Sequence, residues 1–490
     1  VSTLFRRARL VGRDDTPVDV LVEDDVVSAI APSIAAGSAE VVEADGRYLA
    51  PGLWDNHVHM TQWALDRQRL DVSQATSAQE AADTVGARLR RGLAGDRDLL
   101  VASGFRDALW PDEPTSGLLD AVSGPVPVAV VSADLHSVWL NSAALARGGL
   151  AGHPTGLLRE AEAFDATAAV TRVDDGGMDA LIADAATAAA ARGVVGIVDL
   201  EMTLGLDAWV RRVGSGVDSL RVRAGVYPDR LDEVIARRLR TGDPVPGGEG
   251  LVTMGPFKVI TDGSLGTRTA YCHDPYPGSA GEPEAFGLST YDVDSLTALL
   301  VRASAAGLVP AVHAIGDHAL DDALTAFERA GCPGSIEHAQ LITPAALPRF
   351  ARLGLVASVQ PEHAMDDRDI ADHFWAGRTE RAFALLDLHA AGVPLRLGSD
   401  APVAPLDPWV SLAAALSRSR DGREPWHPEQ RLPAAVGLAA STDGRLAVTE
   451  GDVADLVLVE RDPLTATGDE LREFAVSATM LGGRFTFRQP

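Results

Sequence analysis

GPFKVITDGSLGTRTA, residues 255–270, reads as an apolar strand with one lysine, Lys258, set inside it. Strand-length apolar runs recur on both sides of it, near residues 52–57, 99–103, 126–132, 194–199, 220–226, 309–313, 335–338, 355–359 and 394–398. Between them lie Ala/Leu/Arg-rich helical stretches such as MDALIADAATAAAARG, which stops at Gly193, a residue suited to the turn past a helix end. Buried strands alternating with helices are the mark of βα units and a parallel sheet. With the lysine strand the runs number ten, two more than an eight-stranded barrel needs. The pair at 99–103 and 126–132 falls in the long interval before 194–199. Both are assigned to an insertion over about 62–165, leaving eight for a (β/α)8 barrel within residues 51–434. DPVPGGEG (243–250) reads as an exposed loop.

The two ends differ from this middle. LVGRDD, VDVLVEDDVVSAI and DGRYLAPG near the start, and GDVADLVLVE and EFAVSATMLGGRFTF near the end, read as short strands with turns. Residues 1–50 and 435–490 are therefore expected to pair into one small β-domain.

Totals bound the function. Of 490 residues, 46 % are hydrophobic, enough for a large core. The net charge of −26 repels phosphate backbones, so nucleic-acid binding is disfavoured and amine-bearing substrates are favoured over polyanions. Two cysteines, Cys272 and Cys332, make no disulfide framework, so a reducing cytosol is the default. No signal peptide is read at the start, and no uncharged apolar run reaches the ~18–20 residues of a membrane span. A small-molecule substrate and a homodimer are expected.

Of the 43 basic residues, all but Lys258 are arginine. A coding bias toward arginine makes the exception informative. Arginine is a fixed cation, whereas a lysine amine can be neutralised and made nucleophilic. Burying an isolated ammonium is costly unless it is paired or altered. Pairing with Asp262 or another acid is one reading. Reaction with carbon dioxide, giving an anionic carbamate able to bridge two metals, is the other.

In LAPGLWDNHVHM (49–60), His57 and His59 are two apart and on a strand share one face. His313 in VPAVHAIGD, His338 in GSIEHAQ and Asp400 in LRLGSDAP each end a short apolar run, where barrel strands present catalytic side chains. Taken singly each is more often structural. Together with the sole lysine, they suit two borderline metals such as zinc.

These phrases, with KVITDGSLGTRTA, HAIGDHA, EHAQLI, SVQPEH, LGSDAPV and DLHSVWLNSAAL, resemble the amidohydrolase superfamily. They are most similar to its YtcJ-like branch, which includes N-substituted formamide deformylase. The likeness runs from about residue 45 to GDVADLVLV near 450–459. It implies a (β/α)8 barrel, a composite β-sandwich from both chain ends, and metal-dependent hydrolysis. It places His57, His59 and Asp400 on one zinc ion and His313 and His338 on a second, with carboxylated Lys258 between them. A single metal beside unmodified Lys258 is the alternative. The metals lower the pKa of bound water to about 7 and polarise the substrate carbonyl. Asp400 takes the water's proton and passes it to the departing nitrogen. The substrate class implied is an amide, formamide, cyclic amide or carbamate.

His363, ending SVQPEH, is a candidate donor to the developing oxyanion. His136, Trp139 and Asn141 either cap the pocket or stitch the insertion to the barrel. Asp317 is a candidate for orienting His313. Four other readings compete. A lactone or ester hydrolase would use the same site. A deaminase would carry a glutamate near HAIGD, which has none, and would give Lys258 no work. A Schiff-base aldolase explains Lys258 but leaves the histidines idle, and borohydride trapping would reveal it. A non-catalytic scaffold would have lost ligands, and none is missing.

Overall fold

The computed structural model describes residues 2–93, 98–171, 174–279 and 281–489. All ten runs form strands, and eight of them build one parallel sheet. In order these are Leu53–Val58, Val194–Asp199, Arg221–Val226, Val252–Ile260, Pro310–Ala314, Ser335–His338, Val356–Val359 and Leu395–Leu397. Each pairs in parallel with the next. The sheet closes on itself where Val58 bridges Ala401 and the Asp400 N–H donates to the His57 carbonyl at 2.7 Å. Gly398 permits that closure. A Cβ there would meet the His57 backbone nitrogen at 2.8 Å.

Alternation along the strands divides the side chains. In Val252–Ile260, Phe257 and Val259 point outward into the layer between sheet and helices. Full burial of each is worth ~1.5–3 kcal/mol. Lys258 points the other way, into the barrel, and is 1 % exposed.

The insertion carries its own five-stranded sheet, ordered Leu157–Arg159, Ser137–Leu140, Val128–Ser132, Leu100–Phe105 and Leu70–Asp71. Helices cover both faces. Trp139, Val128 and Val130 pack on one side with Ala82 and Leu119, while Val138, Leu140 and Val131 pack on the other with Leu145 and Ala166.

Strands from both chain ends form a third assembly. Ser2–Leu10 pairs through its first half with Val18–Glu23 and Glu40–Glu43, and through its second half with Tyr48–Pro51. The change of register falls between Phe5 and Ala8, where Arg7 has φ +53°. Leu456–Val459 joins Tyr48–Pro51, and Val476–Leu481 and Arg484–Arg488 follow. Phe5, Val20, Leu49, Leu456 and Met480 share the enclosed core, as a composite sandwich requires. Arg221 of the barrel forks onto the buried Asp455 carboxylate at 2.6 and 3.0 Å, fixing the sandwich to the barrel. Cys272 and Cys332 are both free and buried. Among the described residues no helix is long and apolar enough to cross a membrane.

Candidate active site

His57, His59, Lys258, His313, His338 and Asp400 all border one cavity of about 390 Å³ at the C-terminal ends of the barrel strands. The first strand brings His57 and His59, and the fourth, fifth and sixth bring Lys258, His313 and His338. Asp400 follows the eighth. Its Oδ1 lies 3.2 Å from His59 Nε2 and 3.5 Å from His57 Nε2. Lys258 Nζ lies 3.1 Å from His57 Nε2. The His338 ring centre is 4.9 Å from that of His57 and 4.4 Å from that of His313. Donor atoms of His57, His338 and Asp400 fall within 4.8 Å of one another, a spacing a cation can bridge.

Two of these positions have left-handed backbones, His338 at φ +71° and Asp400 at φ +58°. Such strain costs on the order of 1–2 kcal/mol per residue and clusters where a site demands an unusual direction. At His338 the demand is visible. Ser335 and Glu337 share the inward face, with the Ser335 hydroxyl donating to Glu337 Oε1 at 2.6 Å. Simple alternation would send His338 outward with Ile336. The left-handed turn brings it inward beside Glu337 instead.

Glu337 is the chief residue that sequence reasoning missed. Its Oε2 lies 2.8 Å from His57 Nδ1, which leaves Nε2 facing the cavity. The signal was a buried acid directly before a strand-end histidine. Burial alone would raise its pKa, but His57, Lys258 and Ser335 outweigh that and bring it down to about 2. Burial, and then the Lys258 charge, push His57 down to about 4. Burial and the adjacent His313 push His338 well below the ordinary histidine range. Both imidazoles are therefore neutral, the form that ligates metal. Burial would also raise Asp400, yet the imidazoles of His57, His59 and His338 hold it well below the usual carboxylate range.

A family description, the Amidohydrolase family, matches residues 40–487. The chain belongs to that family. It is 25 % identical to YtcJ of Bacillus subtilis (strain 168), with 96 % of each chain covered. It is 26 % identical to N-substituted formamide deformylase of Arthrobacter pascens, over 92 % of this chain and 90 % of that one. An uncharacterized metal-dependent hydrolase from Pyrococcus horikoshii OT3 superposes with a TM-score of 0.78 at 24 % identity, covering 96 % and 99 % of the two chains. The last likeness speaks to fold alone.

Within this hydrolase fold four sequence readings need correcting. Asp262 does not pair with Lys258. Its carboxylate accepts the backbone N–H groups of Ile315, Gly316 and Tyr271 at 3.0, 2.8 and 3.0 Å, and lies 3.3 Å from His313 Nε2. Asp317 does not reach His313. It opens the helix Asp317–Ala330 and accepts from the His273 N–H at 3.0 Å and from Arg381 at 3.3 Å. Trp139 is fully buried against Phe105 in the insertion. Asn141 is equally buried, accepting from the Val128 and Ala144 N–H groups, both at 2.9 Å. Neither borders the cavity.

His136 does border it. Its Nδ1 lies 2.8 Å from Glu160 Oε2, and Glu160 Oε1 accepts from Thr267 and Thr269 of the loop after the lysine strand. His136 thus lines the cavity and helps stitch the insertion to the barrel. Burial alone would lower its pKa, but Glu160 and then Asp134 carry it up to about 9. Burial would raise Glu160, which His136, Thr269 and Thr267 bring down to about 2. The raised histidine contributes stability below its unfolded value of 6.5 and loses it as pH rises through about 9. The lowered glutamate contributes above its unfolded value of 4.5 and loses it as pH falls toward about 2. The melting-temperature gap between wild type and Glu160→Gln should therefore be widest at about pH 4.5–6.5 and close above about pH 9. A gap independent of pH would refute the pairing.

Proposed function

We propose that the chain is a metal-dependent hydrolase of a C–N bond in an amide, formamide or cyclic amide. The observation that carries this is the convergence of four imidazoles, a carboxylate and a buried amine from separate strand ends on one cavity. The residues fit a metal. Three donors lie within 4.8 Å, His57 Nε2 is aimed inward by Glu337, and His338 Nδ1 is buried with no hydrogen-bond partner among the described residues. In the two-zinc reading His57, His59 and Asp400 would hold one ion, His313 and His338 would hold the other, and a carboxylated Lys258 would serve both. Lys258 supports this reading. Among the described residues no carboxylate lies in hydrogen-bonding reach of it, and burial lowers its pKa, against Glu337 and Asp400, favouring the neutral amine that carbon dioxide requires. Bound zinc supplies Lewis acidity and lowers the pKa of water to about 7.

The chain's own groups supply the rest. Asp400 Oδ1 lies 3.2 Å from His59 Nε2, so Oδ2 is the atom left to carry a proton from the attacking water to the leaving nitrogen. His363 Nε2 lies 3.8 Å from that Oδ2. The Gln340 amide, 3.4 Å away, donates to His363 Nδ1, so the ring proton sits on Nε2, which is buried without a hydrogen-bond partner. That N–H is placed to steady the oxygen that gains charge when the carbonyl is attacked.

The test is a panel of amides, formamides, cyclic amides and lactones, run before and after chelation alongside metal analysis. Hydrolysis of a C–N member should vanish on chelation and return with zinc. Metal-loaded protein that cleaves no C–N bond, or only lactones, would overturn the proposal.

A further inference from the structure

The space above the strand ends has two unlike lobes, with Asp134, His136, His313, His338 and Asp400 bordering both. The larger lobe is walled by Leu65, Val131, Phe164, Met178 and Met202. Of the acids that border it alone, Glu201 is committed to the backbone N–H groups of Thr61, Gln62 and Met202 at 3.1, 3.2 and 3.1 Å, and Asp165 is exposed.

The smaller lobe, about 70 Å³, is bordered by Asp400 of the site above and by four further carboxylates: Asp107, Asp134, Asp366 and Asp367. Two already have cations. Asp107 pairs with Arg159 at 2.8 Å, and Asp366 with Arg106 at 3.0 Å and Arg420 at 2.8 Å. The Asp134 side chain accepts only from neutral donors, the hydroxyls of Ser132 and Ser264 at 2.6 and 2.9 Å and the His136 N–H at 3.1 Å. Asp367 makes no hydrogen bond or ion pair among the described residues. A second observation points the same way. Gln340, 3 % exposed, borders this lobe with its Oε1 buried and unpartnered.

We propose that the smaller lobe is a subsite for an ammonium group of the substrate, across the scissile bond from an apolar substituent held in the larger lobe. This rests on the C–N hydrolase reading above. An ammonium offers three donors and no acceptor, and beside the His363 N–H the lobe leaves over three acceptor groups: two carboxylates and an amide oxygen. Burial and Asp366 push the Asp367 carboxyl up to about 8, and Arg106 offsets this only in part. An ammonium in hydrogen-bonding contact counters the push further. Of the acids bordering only the larger lobe, Glu201 is occupied and Asp165 is solvent-exposed, so a charge there gains no enclosed partner.

The experiment compares three N-pentyl amides on the metal-loaded protein: 3-aminopropanamide, its neutral isostere butanamide, and the succinamate. We expect kcat/KM for the ammonium substrate to exceed that of the isostere by about tenfold or more, with the succinamate lowest. Asp367→Asn and Asp134→Asn should each pull the ammonium-to-neutral ratio toward one. Asp369→Asn, on the same helix but paired at the surface with Arg423 at 2.7 Å, should leave the ratio unchanged. An equal rate for ammonium and isostere in wild type, or a ratio indifferent to both cavity variants, would overturn the subsite. If none of the three is cleaved, calorimetry of butylammonium against butanol decides. Tighter ammonium binding that Asp367→Asn weakens supports the subsite even where the hydrolase reading fails. Equal binding rejects it.

Discussion

Asp400→Asn should lower kcat by about 10²–10⁴-fold while changing metal content by less than about twofold. The asparagine keeps an oxygen where Oδ1 meets His59, so that imidazole keeps its partner. It loses the group that can hold and release a proton. Asp400 is held well below the usual carboxylate range, so at neutral pH the wild-type side chain is ionised and open to a proton. KM should move little, because a proton carrier acts on the transition state more than on the bound substrate. Metal analysis and steady-state kinetics on one preparation check both halves. A variant that stays near wild-type turnover removes Asp400 as proton carrier. One that loses metal and activity together makes it only a ligand.

Lys258→Arg is the second large effect. Arginine stands at every other basic position of the chain, so charge and length alone would make it acceptable. A guanidinium cannot form a carbamate, and it is larger than the space beside His57 Nε2, 3.1 Å from the present amine. Bound zinc should fall by about half or more, and turnover by about 10³-fold. Carbon-13 spectra after exposure to labelled bicarbonate should show a carbamate carbonyl in wild type and none in the variant. Lys258→Met, which adds no charge to the interior, separates misfolding from lost chemistry through its melting curve. Retention of full metal and activity in Lys258→Arg would end the bridging role.

Much of the barrel was legible because its strands are short apolar runs with chemistry-bearing residues at their ends, and each such run requires burial on both faces. The failures have a common physical source, the reading of proximity along the chain as proximity in space. Asp317 lies four residues beyond His313, yet the chain turns into a helix between them, and Asp262 of the neighbouring strand approaches the imidazole instead. His136 and Trp139 sit close together in one phrase, but His136 lies just before the strand Ser137–Leu140 and borders the cavity, whereas Trp139 lies within the strand and packs in the insertion's core. Glu337 was hidden for the opposite reason. Alternation would separate it from His338, and only the left-handed backbone at His338 puts both in the site.

The insertion has a further meaning. It packs around two cores of its own, and it contributes Asp134, His136 and Phe164 to the cavity walls, whereas the six converging donors come from the barrel and its rim. The reacting centre and the surface that selects what reaches it are thus built on separately supported scaffolds. Diversification can proceed by rewriting the second without disturbing the first, which lets one hydrolytic core be refitted to new compounds at little risk to its chemistry.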